Sequence, residues 1–334
     1  QNHKEGIQKI LQIFNQDKYN LGSVDLIVHR VVHGGTKYRH ASLLDLEVKQ
    51  FIREMIPLAR SHHPASLDCI EEITEHFPEI PQAVVFDTSF HQTLPEYAWR
   101  YALPRKISDE YAIRRYGFHG ISHQSVVKQA VSFLKTPVNK LNLITIHLGN
   151  GASISAIKKG ICVDTTMGMT PLEGLVLGTR PGDLDPGILT LLEREGWNQE
   201  ALETMLNQDS GMKGLCGTND FREILQNKEE GNEEAEMALE LYCYRVRKTI
   251  GSFSAVIGPL DALVFTGGVG ENVPWVRERS VRAMEWMNIQ LDPDMNDHAE
   301  APCAVHSKDS QTKILVLPSE EEWEMASQAA QLIL

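Results

Sequence analysis

The hydrophobic residues of this chain form two kinds of pattern, and each kind predicts a different element. Short apolar runs rich in β-branched residues predict buried strands. Five such runs occur, at residues 26–32, 83–86, 143–148, 263–265 and 314–317. Residues 153–164 predict a β-hairpin, because a Lys-Lys-Gly turn separates two apolar halves.

Apolar residues at helical spacing fill much of the chain between these strands. The spacing predicts helices at 4–14, 45–60, 67–76, 123–134 and 232–257. Ser66 and Ser122 stand where N-caps of two of these helices are expected. The longest helix has an apolar stripe formed by Leu239, Tyr242, Val246 and Ile250. Strands that alternate with helices predict an α/β fold.

The two ends of the chain repeat one order of elements. The strands at 26–32 and 263–265 each lead into paired glycines, then helical sequence, then a second strand that ends at carboxylates. The two strand starts are 57 residues apart in the first half (83 − 26) and 51 in the second (314 − 263). This order fits two related domains, although the usual alternation of strands, turns and helices in α/β proteins produces the same order by chance.

Length, charge and cysteine content narrow the class of protein. The 334 residues correspond to about two domains at roughly 150 residues each. The formal charge of −13 argues against nucleic acid or an anionic membrane surface as the main partner. No run approaches the ~20 apolar residues of a membrane helix, and the start has no charged-then-apolar leader. The five cysteines lack a C-x-x-C pair, which is typical of reduced thiols. We therefore expect a cytoplasmic protein.

Two glycine-rich segments follow predicted strands and are candidates for binding phosphate. In Gly149-Asn150-Gly151, backbone N–H groups can approach an anion without a Cβ in the way; the alternative is a type I′ turn. The second segment, 265–272, leads to Pro274, which predicts the first turn of a helix whose N-terminus is open to phosphate. Its alternative is a plain strand-to-helix turn. Neither segment matches a Rossmann or P-loop fingerprint.

Two arginines occupy unusual positions. Arg30 lies inside an apolar strand, where a guanidinium needs a carboxylate or phosphate partner. Arg180 lies in the rigid loop Gly-Thr-Arg-Pro-Gly-Asp. Two guanidinium groups that converge on one site would suit a transferring phosphoryl group. The alternatives are a structural ion pair for Arg30 and a solvated loop charge for Arg180.

Carboxylates follow strands at the sheet edge where α/β proteins place their sites. Asp87 follows one strand, and Glu320, Glu321 and Glu322 follow another. One of these glutamates can bind Mg²⁺, which takes few hard oxygen ligands from protein. The alternative is a capping box formed by Ser319 and Glu322 at a helix N-terminus.

The histidines do not predict a metal site. The pairs His29/His33 and His119/His123 have i, i+4 spacing but lack the H-E-x-x-H pattern, and no cysteine cluster accompanies them. His119, in Tyr-Gly-Phe-His-Gly, is better interpreted as a hydrogen-bond donor in a cleft, with core packing as the alternative.

Taken together, the segments resemble the acetate kinase family (acetate and propionate kinases) of the actin-like, sugar-kinase and Hsp70 ATPase superfamily. The matching stretches run in family order: HRVVHGG (29–35), VFDTSFHQTLP (85–95), YGFHGISH (116–123), HLGNGAS (147–153), TMGMTPLEGLVLGTRPGDLDP (166–186), NDFRE (219–223), FTGGVGEN (265–272) and LPSEEE (317–322). Each motif is weak alone, but the ordered set is specific.

The resemblance implies an α/β fold of two related actin-like ATPase (ribonuclease H-like) domains with an interdomain cleft, the first domain being incomplete. The implied boundaries are 1–90 plus 323–334 for the first domain and 91–322 for the nucleotide-binding domain. The first is incomplete because the family's opening strands, with Asn-x-Gly-Ser-Ser-Ser-x-Lys, are absent from this sequence.

The resemblance also implies reversible, ATP-dependent phosphorylation of acetate or another short-chain carboxylate, with Mg²⁺ (or Mn²⁺) as cofactor and a homodimer as the assembly. The implied catalytic residues are Asp87, Arg30, Arg180 and His119, and the implied metal ligand is Glu321. The implied nucleotide-binding residues are Asn150, Gly151, Asp220, Phe221, Arg222, Gly267, Gly268, Gly270 and Asn272.

Three alternatives stay open at this point. The chain can be an inactive nucleotide-binding or dimerisation module, a propionate kinase, or a sugar or polyol kinase of the same superfamily. In the last case Asp87 would serve as the base that a hydroxyl acceptor needs.

Overall fold

The computed structural model describes Gly6, Lys9, residues 24–60 and residues 62–334. The helix predicted at 4–14 lies outside the described residues, apart from Gly6 and Lys9. The chain forms two compact units. The first comprises Gln1–Gln92, Phe118–Ile121 and Glu320–Leu334, and the second comprises Thr93–Gly117 and Ser122–Ser319. The domain boundaries implied by the resemblance stay a prediction.

The first unit contains a three-stranded sheet. Its strands are β1 (Ile27–Val31), β2 (Ser42–Leu43) and β3 (Gln82–Phe86), in the spatial order β1-β3-β2. Strands β1 and β3 are parallel, with Ile27 opposite Gln82, and β2 is antiparallel to β3. The helices are α1 (Leu46–Glu54), α2 (His63–His76) and, after the second unit in sequence, α14 (Glu321–Ala330), with 3₁₀ turns at Ile56–Leu58 and Ser89–Thr93.

Apolar faces of β1, β3, α1 and α2 form one core in this unit. The buried residues are Val31, Val48, Ile52, Leu67, Ile70, Val84 and Phe86. Asp45 caps α1, because its carboxylate accepts a hydrogen bond from Val48 N at 2.8 Å. In β1, His29 and Val31 are buried whereas Arg30 between them is exposed. Because successive side chains of a strand point to opposite faces, Arg30 points away from this core.

The second unit contains a six-stranded mixed sheet in the order β6-β5-β4-β7-β9-β8. The strands are β4 (Asn142–Leu148), β5 (Ala152–Lys158), β6 (Ile161–Thr165), β7 (Ala262–Thr266), β8 (Cys303–Ala304) and β9 (Lys313–Val316). The predicted hairpin is β5–β6, and β4–β5 is a second antiparallel pair. Strands β4, β7 and β9 are parallel, so their carboxyl ends lie at one edge.

Eleven further helices complete the chain between residues 93 and 320. They are α3 (Glu96–Trp99), α4 (Arg105–Glu110), α5 (Gly120–Leu134), α6 (Gly187–Arg194), α7 (Gln199–Gln208), α8 (Gly211–Cys216), α9 (Phe221–Glu229), α10 (Glu233–Ile257), α11 (Gly267–Asn272), α12 (Pro274–Val281) and α13 (Pro293–Asp297). The predicted stripe of α10 is confirmed: Leu239, Tyr242, Val246 and Ile250 are all buried. Within the described residues, no helix combines the length and apolar character needed to cross a membrane.

The predicted caps at Ser66 and Ser122 are wrong. Helix α2 begins at His63, because Pro64 fits its first turn, and the Ser66 hydroxyl donates back to His62 O at 3.2 Å. Helix α5 begins at Gly120, two residues before Ser122, whose hydroxyl instead contacts another side chain.

The capping box of Ser319 and Glu322 does not form either. The residue that precedes α14 is Glu320, which makes no side-chain cap. The N–H of Ser319 donates to Glu271 Oε1 at 2.9 Å, and its hydroxyl lies 3.3 Å from that of Ser122. Contacts distant in sequence therefore take the groups that a local cap would have used.

Candidate active site

Three of the predicted residues meet at one edge of the sheet in the first unit. Arg30 lies on β1 opposite Val85, and Asp87 follows β3 immediately, with its N–H donating to Val31 O at 3.1 Å. Glu321 is the first residue of α14. Parallel pairing of β1 and β3 thus brings residues 30 and 87 together, and α14 adds the second carboxylate.

Arg30 binds both carboxylates directly. Its Nε donates to Asp87 Oδ1 at 3.0 Å and its Nη2 to Asp87 Oδ2 at 2.8 Å, which is a two-pronged ion pair. Its Nη1 donates to Glu321 Oε2 at 3.2 Å. The Arg30 side chain is 38% exposed, whereas that of Asp87 is only 3% exposed. The strand arginine therefore has the carboxylate partner that its apolar setting required.

Burial dominates the electrostatics of these acids. It raises the pKa of Asp87, and the charges of Arg30 and His62 oppose that rise. Burial also raises the pKa of Glu321, Arg30 opposes it, and repulsion from Asp87 and Glu322 adds to it. Burial lowers the pKa of Arg30, but its two carboxylate partners outweigh this and leave that pKa above its ordinary value. The cluster holds more negative charge than one guanidinium neutralises.

One oxygen of Glu321 supports a cation at this position. Its Oε1 is buried and has no hydrogen-bond partner among the residues that the structure describes. A buried carboxylate oxygen without a partner is costly unless a ligand completes it. Together with Asp87, it offers hard oxygen donors, which are what Mg²⁺ prefers, and Mg²⁺ needs few of them from protein. No group of three metal-ligating side chains occurs in the described part of the chain.

His119 lies on the backbone segment that leads into α5 and packs beside Asp87. Gly120 N donates to Asp87 O at 2.9 Å, and a Cβ on Gly120 would lie 2.1 Å from that oxygen. His119 itself has φ of +55°, a strained left-handed conformation for a residue other than glycine. Glycine at 120 is therefore required by the close approach of two backbones, which places the backbone of His119 near that of Asp87.

In the second unit, the two glycine segments are neighbours. Strands β4 and β7 pair in parallel with His147 opposite Thr266, so both segments leave the same sheet edge. A Cβ on Gly149 would lie 4.0 Å from Gly268 N. Neither Asn150 nor its flanking glycines has positive φ, so the alternative of a type I′ turn is wrong. Backbone N–H groups of both segments therefore lie side by side.

The second glycine segment is a helix rather than a loop. Helix α11 begins at Gly267 directly after β7, and α12 follows from Pro274. Gly267 has φ of +79°, and a Cβ there would lie 2.7 Å from Leu148 O. A Cβ on Gly268, by contrast, would meet nothing within 4 Å. Open space thus lies over Gly268, where a phosphate needs room, while Gly267 is required by the fold.

Asn150 and Asn272 make hydrogen bonds at these segments, whereas Asp220 and Arg222 bond each other. Asn150 O accepts from Gly178 N at 3.0 Å, and Asn272 Nδ2 donates to Gly268 O at 2.9 Å. Asp220 caps α9 and holds the exposed Arg222 through Nη2 at 2.6 Å, and these hydrogen bonds lower the pKa of Asp220 to about 2.

Phe221 and Gly270 lie deeper in the unit. Phe221 is buried and packs edge-on against Tyr242, with ring centroids 5.0 Å apart. Gly270 is buried within α11. Gly151 adjoins the start of β5, where Gly149 N donates to Gly151 O at 2.8 Å. Packing therefore accounts for part of this set, and the lining of a nucleotide site stays a prediction for it.

Arg180 belongs to the second unit and differs from Arg30 in its surroundings. Its Nη1 donates to Pro171 O at 2.7 Å, and its own carbonyl accepts from Leu177 N. Among the described residues no carboxylate pairs with it. It is half-buried, and burial lowers its pKa. A guanidinium has five N–H donors, so most of its donors are available to an anion.

Comparison with known proteins decides the family. The profile of the Acetokinase family matches residues 1–327. The acetate kinase of Sulfurovum sp. (strain NBC37-1) is 47% identical over 337 residues, which cover 99% of this chain and 85% of that relative. This chain belongs to the acetokinase family. The resemblance predicted from the ordered motifs is confirmed.

Solved structures of an acetate kinase and of a propionate kinase are similar to this chain. The crystal structure of Porphyromonas gingivalis acetate kinase has a TM-score of 0.94 at 40% identity and covers 100% of this chain and 85% of that one. A propionate kinase from Francisella tularensis subsp. tularensis SCHU S4 has a TM-score of 0.94 at 38% identity, covering 98% and 84%. The predicted α/β fold of this family is confirmed.

Two residues of this acetokinase site were missed by the sequence reasoning. His62 lies near enough to Asp87 to lower its pKa, whereas in the sequence it only follows the end of the helix predicted at 45–60. Asn219 Nδ2 donates to Asn150 Oδ1 at 2.8 Å and so connects two predicted nucleotide segments. The sequence signal for Asn219 was its place at the start of the matching stretch NDFRE (219–223), directly before Asp220.

Proposed function

We propose that this acetokinase catalyses the reversible, ATP-dependent phosphorylation of acetate to acetyl phosphate. The observation that carries the proposal is the direct bonding of Arg30 to Asp87 and Glu321, in a chain that matches the family over residues 1–327. The relatives named acetate kinase favour acetate as the acceptor. The propionate kinase among the similar structures makes propionate the nearest alternative.

The acceptor needs no base from the protein. A carboxylate is already ionised at neutral pH, so one of its oxygens can attack the γ-phosphorus of ATP directly. Catalysis then reduces to alignment of the reactants and neutralisation of the charge on the transferring group. This favours the acyl kinase over the sugar kinase alternative, in which Asp87 would have to be a free base. Asp87 is instead held by two hydrogen-bonding prongs of Arg30.

The roles of the charged residues follow from their surroundings. Arg180, which has unused donors and no carboxylate partner among the described residues, binds the transferring phosphoryl group. Arg30 binds the same group from its ion-paired position, and His119 donates a hydrogen bond to it. A double-mutant cycle of Arg30 and Arg180 tests this, because two groups that bind one phosphoryl unit give non-additive losses in kcat.

Asp87 and Glu321 are the residues that would hold Mg²⁺, or Mn²⁺ in its place. When bound, the cation supplies positive charge to the phosphate oxygens of ATP. The protein's own contribution is to keep both carboxylates ionised and oriented, which Arg30 does through three hydrogen bonds to Asp87 and one to Glu321. The unpartnered Glu321 Oε1 is the atom best placed to become a ligand.

ATP is proposed to bind along the sheet edge of the second unit at which residues 149–151 and helix α11 lie, here called the glycine edge. Asn150, Gly151, Gly267, Gly268 and Gly270 would lie along its phosphates. Asp220, Phe221, Arg222 and Asn272 would surround the adenosine. The open space over Gly268 supports this assignment.

We further propose a cytoplasmic homodimer with no nucleic-acid partner. The reduced state of the five cysteines fits a reducing compartment, and the acidic charge of −13 disfavours nucleic acid. Exposed Tyr97, Leu103, Ile107 and Tyr111 provide apolar surface for a second copy. Light scattering after size-exclusion chromatography measures the assembly.

Hydroxamate trapping of acyl phosphate tests the function itself. The protein is incubated with ATP, MgCl₂ and acetate, propionate or butyrate in parallel, and with a sugar as the control acceptor. Product that is greatest with acetate supports the proposal. Binding of ATP without product from any carboxylate would instead favour the inactive nucleotide-binding module.

A further inference from the structure

Arg277, on α12, makes an unusual set of contacts beneath the glycine edge of the second unit. The side chain is completely buried. Its Nη1 donates to the carbonyls of Gly270 at 2.9 Å and of Glu271 at 2.8 Å. Its Nε and Nη2 donate to Asn296, to Oδ1 and to the carbonyl oxygen, both at 2.8 Å. One guanidinium therefore joins α11 and α13.

No carboxylate pairs with Arg277 among the residues described by the structure. Burial lowers its pKa, and the nearby Cys303 and Asp297 only partly oppose this. A buried charge without a counter-ion stabilises a fold poorly, because well-packed apolar residues of similar volume often stabilise a protein as much or more. A purely structural role therefore does not explain why an arginine is at this position.

The carbonyls that Arg277 binds are the ones that α11 leaves without partners. The last turn of a helix has carbonyl groups with no intrahelical donor, and that end carries partial negative charge. A guanidinium there satisfies both needs. The start of α11 is fixed separately, since Glu271 Oε1 accepts from Gly267 N at 2.9 Å. The six-residue helix is thus braced at both ends by side chains.

The partner of Arg277 is itself held rigidly. Asn296 Nδ2 donates to Pro274 O at 3.0 Å, and its N–H donates to Asp292 O at 3.0 Å within α13. Asp292 in turn caps α13 by accepting from Met295 N. The guanidinium is therefore oriented by a fixed acceptor rather than by a mobile side chain.

We propose that Arg277 is a positioning residue for nucleotide binding: it holds α11 so that Gly268 and Asn272 face the nucleotide. This rests on the proposed function, because it takes α11 as part of the ATP site. Only arginine can serve, since a lysine ammonium is a point charge that cannot span α11 and α13 with a planar fork.

The test compares Arg277→Lys with the matched control Arg279→Lys. Arg279 is on the same helix but pairs with Glu240 on α10 and lies over the Trp275 ring. Calorimetry measures ADP binding by wild type and both variants, and steady-state kinetics give KM for ATP and for acetate. Thermal unfolding reports the integrity of each variant.

We expect Arg277→Lys to raise the Kd for ADP and the KM for ATP by about tenfold or more, because small misplacements of a binding segment have effects of that size. The KM for acetate should change less than about twofold, and Arg279→Lys should leave all three constants within about twofold of wild type. Added guanidinium ion should partly restore ADP affinity to Arg277→Ala, which a general loss of packing would not allow.

A folded Arg277→Lys that binds ADP as tightly as wild type overturns the inference. So does an equal rise in both KM values, because that indicates a structural role. If Arg277→Lys does not fold, Asn296→Ala tests the same brace by removing the acceptor of Nε, and unchanged ADP binding there overturns the inference. Wild-type protein that binds no ADP overturns the proposed function as well, so the two failures are distinguishable.

Discussion

Replacement of Arg180 by methionine separates catalysis from stability more sharply than any other change at this site. Methionine keeps much of the apolar volume of the side chain and removes the guanidinium. Among the described residues, the Arg180 side chain has one hydrogen bond, to Pro171 O at 2.7 Å, and no carboxylate partner. The substitution therefore removes a charge that the fold itself hardly uses.

The expected magnitudes differ by several-fold. One hydrogen bond contributes about 0.5–1.5 kcal/mol to stability, and release of a half-buried, unpaired charge offsets it. The net change should stay within about 1 kcal/mol, which is a shift of roughly 2–4 °C in Tm. Loss of an arginine that stabilises a transferring phosphoryl group lowers kcat on the order of 10³-fold, or about 4 kcal/mol.

The assay is initial-rate acetyl phosphate formation at saturating ATP and acetate, with thermal unfolding of the same samples. Arg194→Met is the control, because Arg194 is an exposed arginine at the end of α6 in the same unit. Arg180→Lys should recover only part of the rate, since it restores the charge without the fork. A decrease in kcat of less than about tenfold would refute the assignment, and so would a decrease in Tm well beyond the range above.

Three further expectations follow from the same contacts. Gly268→Ala should keep or raise Tm, because its Cβ would meet nothing within 4 Å, but it should raise the KM for ATP about tenfold. Gly267→Ala should lower the free energy of unfolding by about 1–3 kcal/mol, because φ of Gly267 is +79° and a Cβ there would lie 2.7 Å from a backbone oxygen. Glu321→Gln should raise the MgCl₂ concentration needed for half-maximal rate about tenfold or more while KM for acetate changes little, and a rate independent of MgCl₂ would contradict it. Burial raises the pKa of Asp87 and of Glu321 while Arg30 opposes it, so the acid limb of the kcat/KM profile should lie above the ordinary carboxylate range and move to higher pH in Arg30→Ala.

The strands were the most predictable part of the fold. Continuous β-branched runs such as 143–148 gave strand bounds within a residue of those observed, and the hairpin turn was marked by its glycine. Burial of both sheet faces explains this, because it demands apolar residues at every position. The apolar stripe of α10 was predictable because burial of one helix face requires apolar residues at helical spacing.

Helix ends were less predictable, because distant contacts decide them. Ser122 has the chemistry of a cap, but α5 begins earlier where Gly120 N donates to Asp87 O. The segment at 267–272 has the composition of a loop, yet Glu271 and Arg277 hold it as a helix. No local pattern records that those two side chains brace it.

The residue types of the candidate site were predictable from the sequence, but the sharing of one guanidinium by two carboxylates was not. A strand arginine required a carboxylate, and Asp87 supplies one. That Glu321, which is 291 residues away in sequence, shares the same guanidinium depends on where α14 packs. The motif match indicated which residue types to expect, whereas the unpartnered Glu321 Oε1 could be found only from coordinates.

The satisfied polar groups around His123 and the unsatisfied ones of Glu321 and Arg180 indicate different roles for these residues. Buried His123 bonds both Thr145 and Ser153, at 2.7 and 2.8 Å, so the protein itself supplies its partners and the cluster serves the fold. Glu321 Oε1 and the spare donors of Arg180 have no such partners in the described residues, and a bound ligand is one explanation for groups of this kind. Substitutions in the first class should therefore lower stability and activity together. Substitutions in the second should lower activity while leaving stability equal or higher, which no purely structural account of these residues predicts.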